Sequence, residues 1–561
     1  MIPSPSAHLR KRLAASARAF SATARNPALL RAQLAFGATW TAEWAFTVAI
    51  AVVAFRDGGA AAVGLVAFVR MAPAAVLAPF GTTLADRFPR DRVLVWSCLI
   101  RAAATATAAA VLAAGGPNVA VYVLAVIATA AFTMFRPAHS ALLPALCRTP
   151  LELTSANLVR GLIDSLSTLL GPLVAALLLE LGSPAAVFAT TAALSLASGA
   201  LLLRLSYESS PRGRPRPLRR IVHETVEGFR ALAHYRDAGL LIGLAVAQTL
   251  TRGFLNVFLV VVAIDLLGMG APGVGVLTAA VGAGAVASSL GASMFVSGRR
   301  LAILEGIGVM LWGLPLTLSG AFPHELAVLG LMFVIGVGNA LVDIGLYTLP
   351  ARLVPEELHA RVFGAKESLI ALSVGLGSLV TPFAIALLGI RGALAVLGLV
   401  APALVALAWR RLQTIDASIA HRDKEVDVLN KVGMFRPLPM PAIDHLALHV
   451  EHAHFTAGED VFHQGDHGDR FYVIEAGEAD VIGDGRLIRT MHSGDGFGEI
   501  ALLHDTLRTT TVRARTPLRL YTLDRRHFLS AVSDYGSSAR EADTLMLDRL
   551  GSFDPRSRPT G

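Results

Sequence analysis

The stretch Phe497-Gly-Glu-Ile-Ala-Leu-Leu-His-Asp-Thr-Leu-Arg-Thr-Thr-Thr-Val-Arg-Ala514 packs a glycine turn, an acid set among apolar residues, a short apolar helix and an arginine into eighteen residues. The helix that begins after Gly498 offers backbone N–H groups with no partner inside the helix, and these suit an anion. Arg508 adds a planar fork that can lie on two phosphate oxygens, which a lysine cannot do. The chemistry written here is recognition of a small phosphate-bearing ligand.

Working outward, residues from 434 onward read as short strands and turns. In Phe455-Thr-Ala-Gly-Glu-Asp-Val-Phe-His-Gln-Gly-Asp-His-Gly-Asp-Arg-Phe-Tyr-Val-Ile-Glu-Ala-Gly477, glycines mark turns between alternating apolar residues. Asp495-Gly-Phe-Gly-Glu499 leads into the opening stretch. These two motifs, in this order and spacing, resemble the cyclic nucleotide-binding domain of protein kinase A regulatory subunits and of the catabolite activator protein. The resemblance implies an α+β β-roll over residues 433–551, with cyclic nucleotide as ligand. It also implies that Gly498, Glu499, Ile500, Ala501, Arg508 and Thr509 line the pocket. Glu499 then accepts the ribose 2′-hydroxyl and Arg508 holds the cyclic phosphate. Leu507 stands where proline is common in that family, a change in loop stiffness. Thr509 resembles the threonine that cGMP-selective members place on the guanine, although a hydroxyl there also reaches phosphate; cAMP is the favoured ligand and cGMP the alternative. Leu545 and Leu547, in the helical pattern 538–550, are candidates for a lid over the base, and 552–561 reads as a disordered tail.

The rest of the chain is of another kind. Of 561 residues, 54% are hydrophobic and only 16% are charged, where a soluble chain carries about 25% charge; mean hydropathy is +0.58. Apolar runs long enough to cross a bilayer fall at about 29–55, 60–84, 92–114, 118–145, 152–181, 184–206, 239–267, 272–297, 301–321, 325–350, 361–389 and 391–411. The net charge of +8 does not signal nucleic acid, because its basic residues sit in a tail and in alternate loops. Arg87, Arg90 and Arg92, then Arg148, Arg299 and Arg300, and Arg352 and Arg361 follow the positive-inside pattern. Both termini are thus expected in the cytoplasm of a multi-pass protein of the inner or plasma membrane. Cys98 and Cys147 read as packing residues.

The expected organisation is a basic tail (1–28), a six-helix half (29–206), a cytoplasmic loop (207–238), a second six-helix half (239–412), a connector (413–432), the soluble domain and a tail. The basic tail also has the composition of a transit peptide, the weaker reading. The loop carries Ile221, Val222, Val226, Phe229 and Leu232 on one helical face, an amphipathic helix for the inner leaflet or the bundle.

Six spans, a linker and six spans resemble the major facilitator superfamily. Leu84-Ala-Asp-Arg-Phe-Pro-Arg-Asp-Arg-Val93 resembles its loop motif G-x-L-A-D-R-x-G-R-R, with Gly81 one residue early and Pro89 in place of the second glycine. Asp86 and Arg90 survive as a candidate latch. Gly171-Pro172, Phe135–Pro144 and Leu353–Gly364 resemble the drug- and siderophore-exporter branch. Charges inside spans are costly and mark function or structural pairs. Glu43 and Asp343 are the candidate proton carriers, one in each half, and a Glu43–Arg70 ion pair is the structural alternative. Arg136, His139, Asp164 and Arg252 are further intramembrane groups. These features imply a transporter, expected to be a proton-coupled exporter of a small lipophilic or amphipathic molecule under cyclic nucleotide control. A membrane receptor or scaffold that senses the nucleotide without transporting is the alternative. No nucleophile–base arrangement suggests an enzyme, and no cofactor is expected. His445 and His449, spaced i, i+4 beside His452 and His454, are read as a solvated helix face rather than a metal site.

Overall fold

The computed structural model describes residues 25–147, 149–203, 205, 218–296, 300–438 and 440–533. Most of the basic tail, the basic start of the 207–238 loop and the 538–550 lid lie outside them. The chain divides into two compact units, Met1–Gln413 and Thr414–Gly561.

The described part of the first unit is helical: α1 (Pro27–Arg87), α2 (Arg90–Ala113), α3 (Asn118–Leu146), α4 (Pro150–Leu181), α5 (Pro184–Leu202), α6 (Leu218–His234), α7 (Arg236–Val261), α8 (Gly270–Val296), α9 (Leu301–Ala321), α10 (Glu325–Leu353) and α11 (Glu356–Leu429), whose residues from Thr414 onward belong to the second unit. Among the described residues, ten helices are long and apolar enough to cross a membrane. Two are interrupted. In α1, Gly58 and Gly59 leave helical geometry, with Gly59 at φ 61°, and in α11 Gly389 does so at φ 69°. Only glycine takes such angles without steric cost. Each segment of α1 is still longer than the ~20 residues a bilayer needs. The breaks fall where the sequence separates its first and second, and its last two, apolar runs.

Large apolar side chains point away from the bundle, including Leu387 and Leu407 at 84% exposure and Leu326 at 76%. Apolar surface on this scale belongs in lipid. Inside, the helices approach backbone to backbone. A Cβ on Gly336 would lie 1.9 Å from the Val281 carbonyl oxygen, and one on Gly284 equally close to that of Phe333. This locks α8 against α10 as small residues lock membrane helices. Gly171, of the Gly-Pro pair, packs against the Thr41 carbonyl and Trp44 of α1, while the Pro172 carbonyl meets Gly275 of α8.

The amphipathic helix of the loop forms as α6 and packs on the bundle. Gly228 lies against the Arg361 carbonyl, and Glu227 pairs with the Arg361 guanidinium at 2.9 Å. Val226 and Phe229 remain exposed, an apolar edge left for lipid.

The second unit holds α12 (Met440–Ala447), strands β1 (Glu451–Phe455), β2 (Asp460–Phe462), β3 (Arg470–Ala476), β4 (Ala479–Gly483), β5 (Arg486–Met491) and β6 (Gly496–Phe497), helix α13 (Glu499–His504), strands β7 (Thr511–Ala514) and β8 (Leu518–Asp524), and α14 (Arg525–Ser533). Two antiparallel four-stranded sheets form, in the orders β1-β8-β3-β6 and β2-β7-β4-β5. One core lies between them, around Ile474, Phe497 and Leu520. The other binds Phe471 and Leu523 to helical residues Phe435, Ile443 and Phe528, and to Val426 and Leu429 from the end of α11.

Candidate functional site

The six pocket residues read from the sequence come together in one cleft, with Phe462, Val481 and Phe497 completing its apolar wall. β6 ends at Phe497, and Gly498 caps α13 in the left-handed region at φ 91°. A Cβ at this position would sit 2.6 Å from Nη1 of Arg508. Glycine is therefore required twice, by its backbone angle and by the guanidinium beneath it.

Arg508 is 4% exposed. Its Nη1 donates to the Gly498 carbonyl at 2.9 Å and its Nη2 to the Arg470 carbonyl at 2.7 Å. Its guanidinium carbon lies 4.3 Å from the centre of the Phe462 ring, a cation–π contact that holds the group flat. Phe462 is steadied by Tyr472 and Phe497, which stack on each other at 5.2 Å. The buried Nε has no hydrogen-bond partner among the described residues. Burial pushes the guanidinium's pKa down, with Tyr472, Asp469, Glu499 and Asp466 opposing the effect. An arginine nevertheless stays charged. A buried, oriented cation whose Nε–H is unpaired among the described residues is suited to an anion. Glu499, the first residue of α13, is 1% exposed. Ile500 and Ala501 form the adjoining turn, and Thr509 stands at the open edge.

Among the described residues of the bundle, two groups of charges involve the candidate residues. Glu43 sits between Arg70, at 3.3 Å, and Arg101, at 2.9 Å. Arg70 also donates to Thr129 Oγ1 at 3.0 Å and lies over Phe46. The pair weighed as the structural alternative is thus present, extended by Arg101, which is 1% exposed. Sequence reasoning passed over Arg101 although its signal was available, a lone charge in the middle of the second long helix. Asp343 lies elsewhere. It accepts from Asn339 at 3.1 Å and shares its surroundings with Arg136, Asp164, Arg252 and Lys366, drawn from both halves of the bundle. Arg136 and Arg252 lean over Trp40 and Trp44 respectively. Lys366, also missed, lies 3.9 Å above the Tyr347 ring. His139 is fully buried, against the Ala32 carbonyl and between Phe36 and Phe135. Arg90 donates to the Ala141 carbonyl at 2.7 Å; the side chain of Asp86, its expected latch partner, lies outside the described residues.

Comparison with known proteins matches this division. The profile of the Major Facilitator Superfamily matches residues 34–366, and that of the cyclic nucleotide-binding domain matches residues 452–535. Over 75 residues the chain is 48% identical to the cAMP-dependent protein kinase regulatory subunit of Schizosaccharomyces pombe (strain 972 / ATCC 24843). That stretch is 13% of this chain and 18% of the yeast protein, so the chain spans less than a fifth of that relative. Among solved structures, the regulatory domain of Toxoplasma gondii PKA with cAMP is 26% identical, covering 20% of this chain and 46% of that one, with a TM-score of 0.20. A PKAR CBD2 domain bound to Sp-2Cl-cAMPS is 27% identical, covering 24% and 92%, with a TM-score of 0.21.

Proposed function

The chain belongs to the Major Facilitator Superfamily, and from that premise we propose that it is a membrane transporter whose conformational equilibrium is set by a cyclic nucleotide, cAMP by preference, bound in the Arg508 cleft. The observation that carries this reading is the guanidinium of Arg508, buried, lining the cleft and with its Nε–H unpaired among the described residues. In the proposed complex the phosphate lies between Arg508 and the first turn of α13, and Glu499 takes the ribose hydroxyl. Thr509 at the cleft's edge is the residue through which cGMP would compete.

On the membrane side, the proposed topology is twelve spans with both termini cytoplasmic; the glycine breaks in α1 and α11 support counting each of those helices as two spans. Asp343 and its charged neighbours from both halves are the proposed substrate- and proton-handling group. Its companions Arg136, Trp40 and Tyr347 suit a lipophilic or amphipathic substrate carrying a polar end, with efflux as the proposed direction. The proposed link is α11, whose last turns carry Val426 and Leu429 of the apolar cluster around Phe435, Phe471 and Phe528. A ligand shifts the transport equilibrium only by its differential affinity for the two states, about 1.4 kcal/mol for each tenfold.

One observation favours the second reading, a receptor that does not transport. Glu43, one of the two candidate proton carriers, is held between two arginines, the arrangement of a structural ion pair. Titrating the full-length protein with cAMP and cGMP tests the primary claim, with Arg508→Ala as control; absence of saturable binding by the wild type would exclude it.

A further inference from the structure

We propose that His421, Glu425 and His452 form a binding site for a divalent transition-metal ion of the zinc class. His421 and Glu425 lie one turn apart on the same face of α11, and His452 reaches them from β1. Oε1 of Glu425 is 3.4 Å from His421 Nε2 and 3.2 Å from His452 Nε2. The three ligand atoms all lie within 4.8 Å of one another, the one such group among the described residues.

These lengths match coordination geometry. A tetrahedral zinc ion with bonds of about 2.05 Å has ligand–ligand edges of about 3.3 Å. Two edges of the triangle already have that length. The third closes by turning the imidazoles, whose ring centres are 5.6 Å apart. Glu425 is buried to 9% side-chain exposure, while His421 and His452 are 64% and 39% exposed. The site thus has a fixed floor, an open entry and room for water as fourth ligand. Two imidazoles and one carboxylate favour zinc, cobalt or nickel over calcium and magnesium, which take oxygen ligands.

The neighbouring histidines are arranged otherwise. Nδ1 of His449 faces the His445 carbonyl at 2.9 Å, and Nδ1 of His527 faces Asp524 at 2.7 Å, while the His449 and His527 rings stack at 3.9 Å. Those nitrogens are engaged by protein oxygens. At Glu425 both imidazole nitrogens converge on a single carboxylate oxygen, where one metal ion can replace two protons. A bound ion would tie the end of α11 to the first strand. Any effect on the nucleotide response rests on the function proposed above; the binding itself does not.

The test uses the full-length protein in detergent, purified without a histidine tag and stripped with a chelator. It is titrated separately with Zn²⁺ and Co²⁺ alone. The expected result is one ion per chain, release of protons on binding, and the visible absorption of tetrahedral cobalt(II). His452→Asn and Glu425→Gln should each weaken binding by at least about tenfold, whereas His449→Asn should leave it unchanged. His421→Asn, at an exposed position that folding tolerates, should also weaken it. Absence of a saturable one-to-one ion overturns the proposal, as does binding that survives Glu425→Gln and His452→Asn or is lost in His449→Asn.

Discussion

Replacing Arg508 by lysine keeps the positive charge and removes the fork, which separates two contributions to nucleotide binding. In the native site the guanidinium spans the carbonyls of Gly498 and Arg470, at 2.9 and 2.7 Å, and its proposed grip on the phosphate depends on both. A lysine ammonium can reach one carbonyl or the anion but cannot brace itself on both. Losing one hydrogen bond to a charged group costs about 1.5–3 kcal/mol, so Arg508→Lys should raise Kd roughly 10- to 150-fold at 1.4 kcal/mol per tenfold. Arg508→Gln removes the charge as well. Truncating one partner of a buried charged pair costs about 2–5 kcal/mol, which corresponds to a rise of about 30- to several thousand-fold. Calorimetric titration of the full-length variants with cAMP measures both, with thermal unfolding in the absence of ligand as the control for folding. Variants that unfold like the wild type yet bind cAMP within about threefold of it would refute the assigned role of Arg508.

Gly498→Ala should weaken cAMP binding by at least about tenfold, since the new Cβ meets Arg508 Nη1 at 2.6 Å and the left-handed backbone angle adds about 1 kcal/mol of strain; titration at unchanged Arg508 checks it. Glu43→Gln should lower the unfolding midpoint in detergent by the equivalent of about 3–5 kcal/mol, because Arg70 and Arg101 lose their shared partner. An unchanged midpoint would refute a structural role for the Arg70–Glu43–Arg101 cluster. Gly336→Val should cost about 3 kcal/mol or more, because the carbonyl 1.9 Å from its added Cβ belongs to the α8 backbone and cannot swing aside; the yield of monodisperse protein after extraction reads this out.

The parts of the fold legible in the sequence were those governed by local pattern. The breaks at Gly58-Gly59 and Gly389 fall between runs of apolar residues, and the Gly498–Arg508 segment carries its turn, helix and cation within eleven residues, so spacing alone assembles them. What stayed hidden depends on chain far away. Phe462 beneath Arg508 arrives on β2, and Arg470 supplies a carbonyl from β3; neither bears a mark of that role, because backbone oxygens and aromatic faces are not encoded as motifs. Arg101 became meaningful only when α2 was seen to pack it against Glu43 of α1. The amphipathic pattern of α6 announced a helix with an apolar face but left leaflet and bundle open as its partner. Gly228, small enough to accept the Arg361 carbonyl, turns one side of it to the bundle. His452 belonged to a histidine cluster read as a solvated helix entering the first strand; it lies on β1, and its facing Glu425, twenty-seven residues earlier, carried no mark in the sequence.

The central claim, that nucleotide binding in the soluble unit biases the membrane unit, is tested most directly by spin-label distances across the bundle. Labels at Val119 and Leu387, exposed at 69% and 84%, mark the loop ends of the two halves beside the Gly58 and Gly389 breaks, with Cys98 and Cys147 replaced by alanine. Saturating cAMP should redistribute the populations of the Val119–Leu387 distance in the wild type and leave them unaltered in Arg508→Gln. Populations that do not move in the wild type, while calorimetry shows cAMP bound, would contradict it.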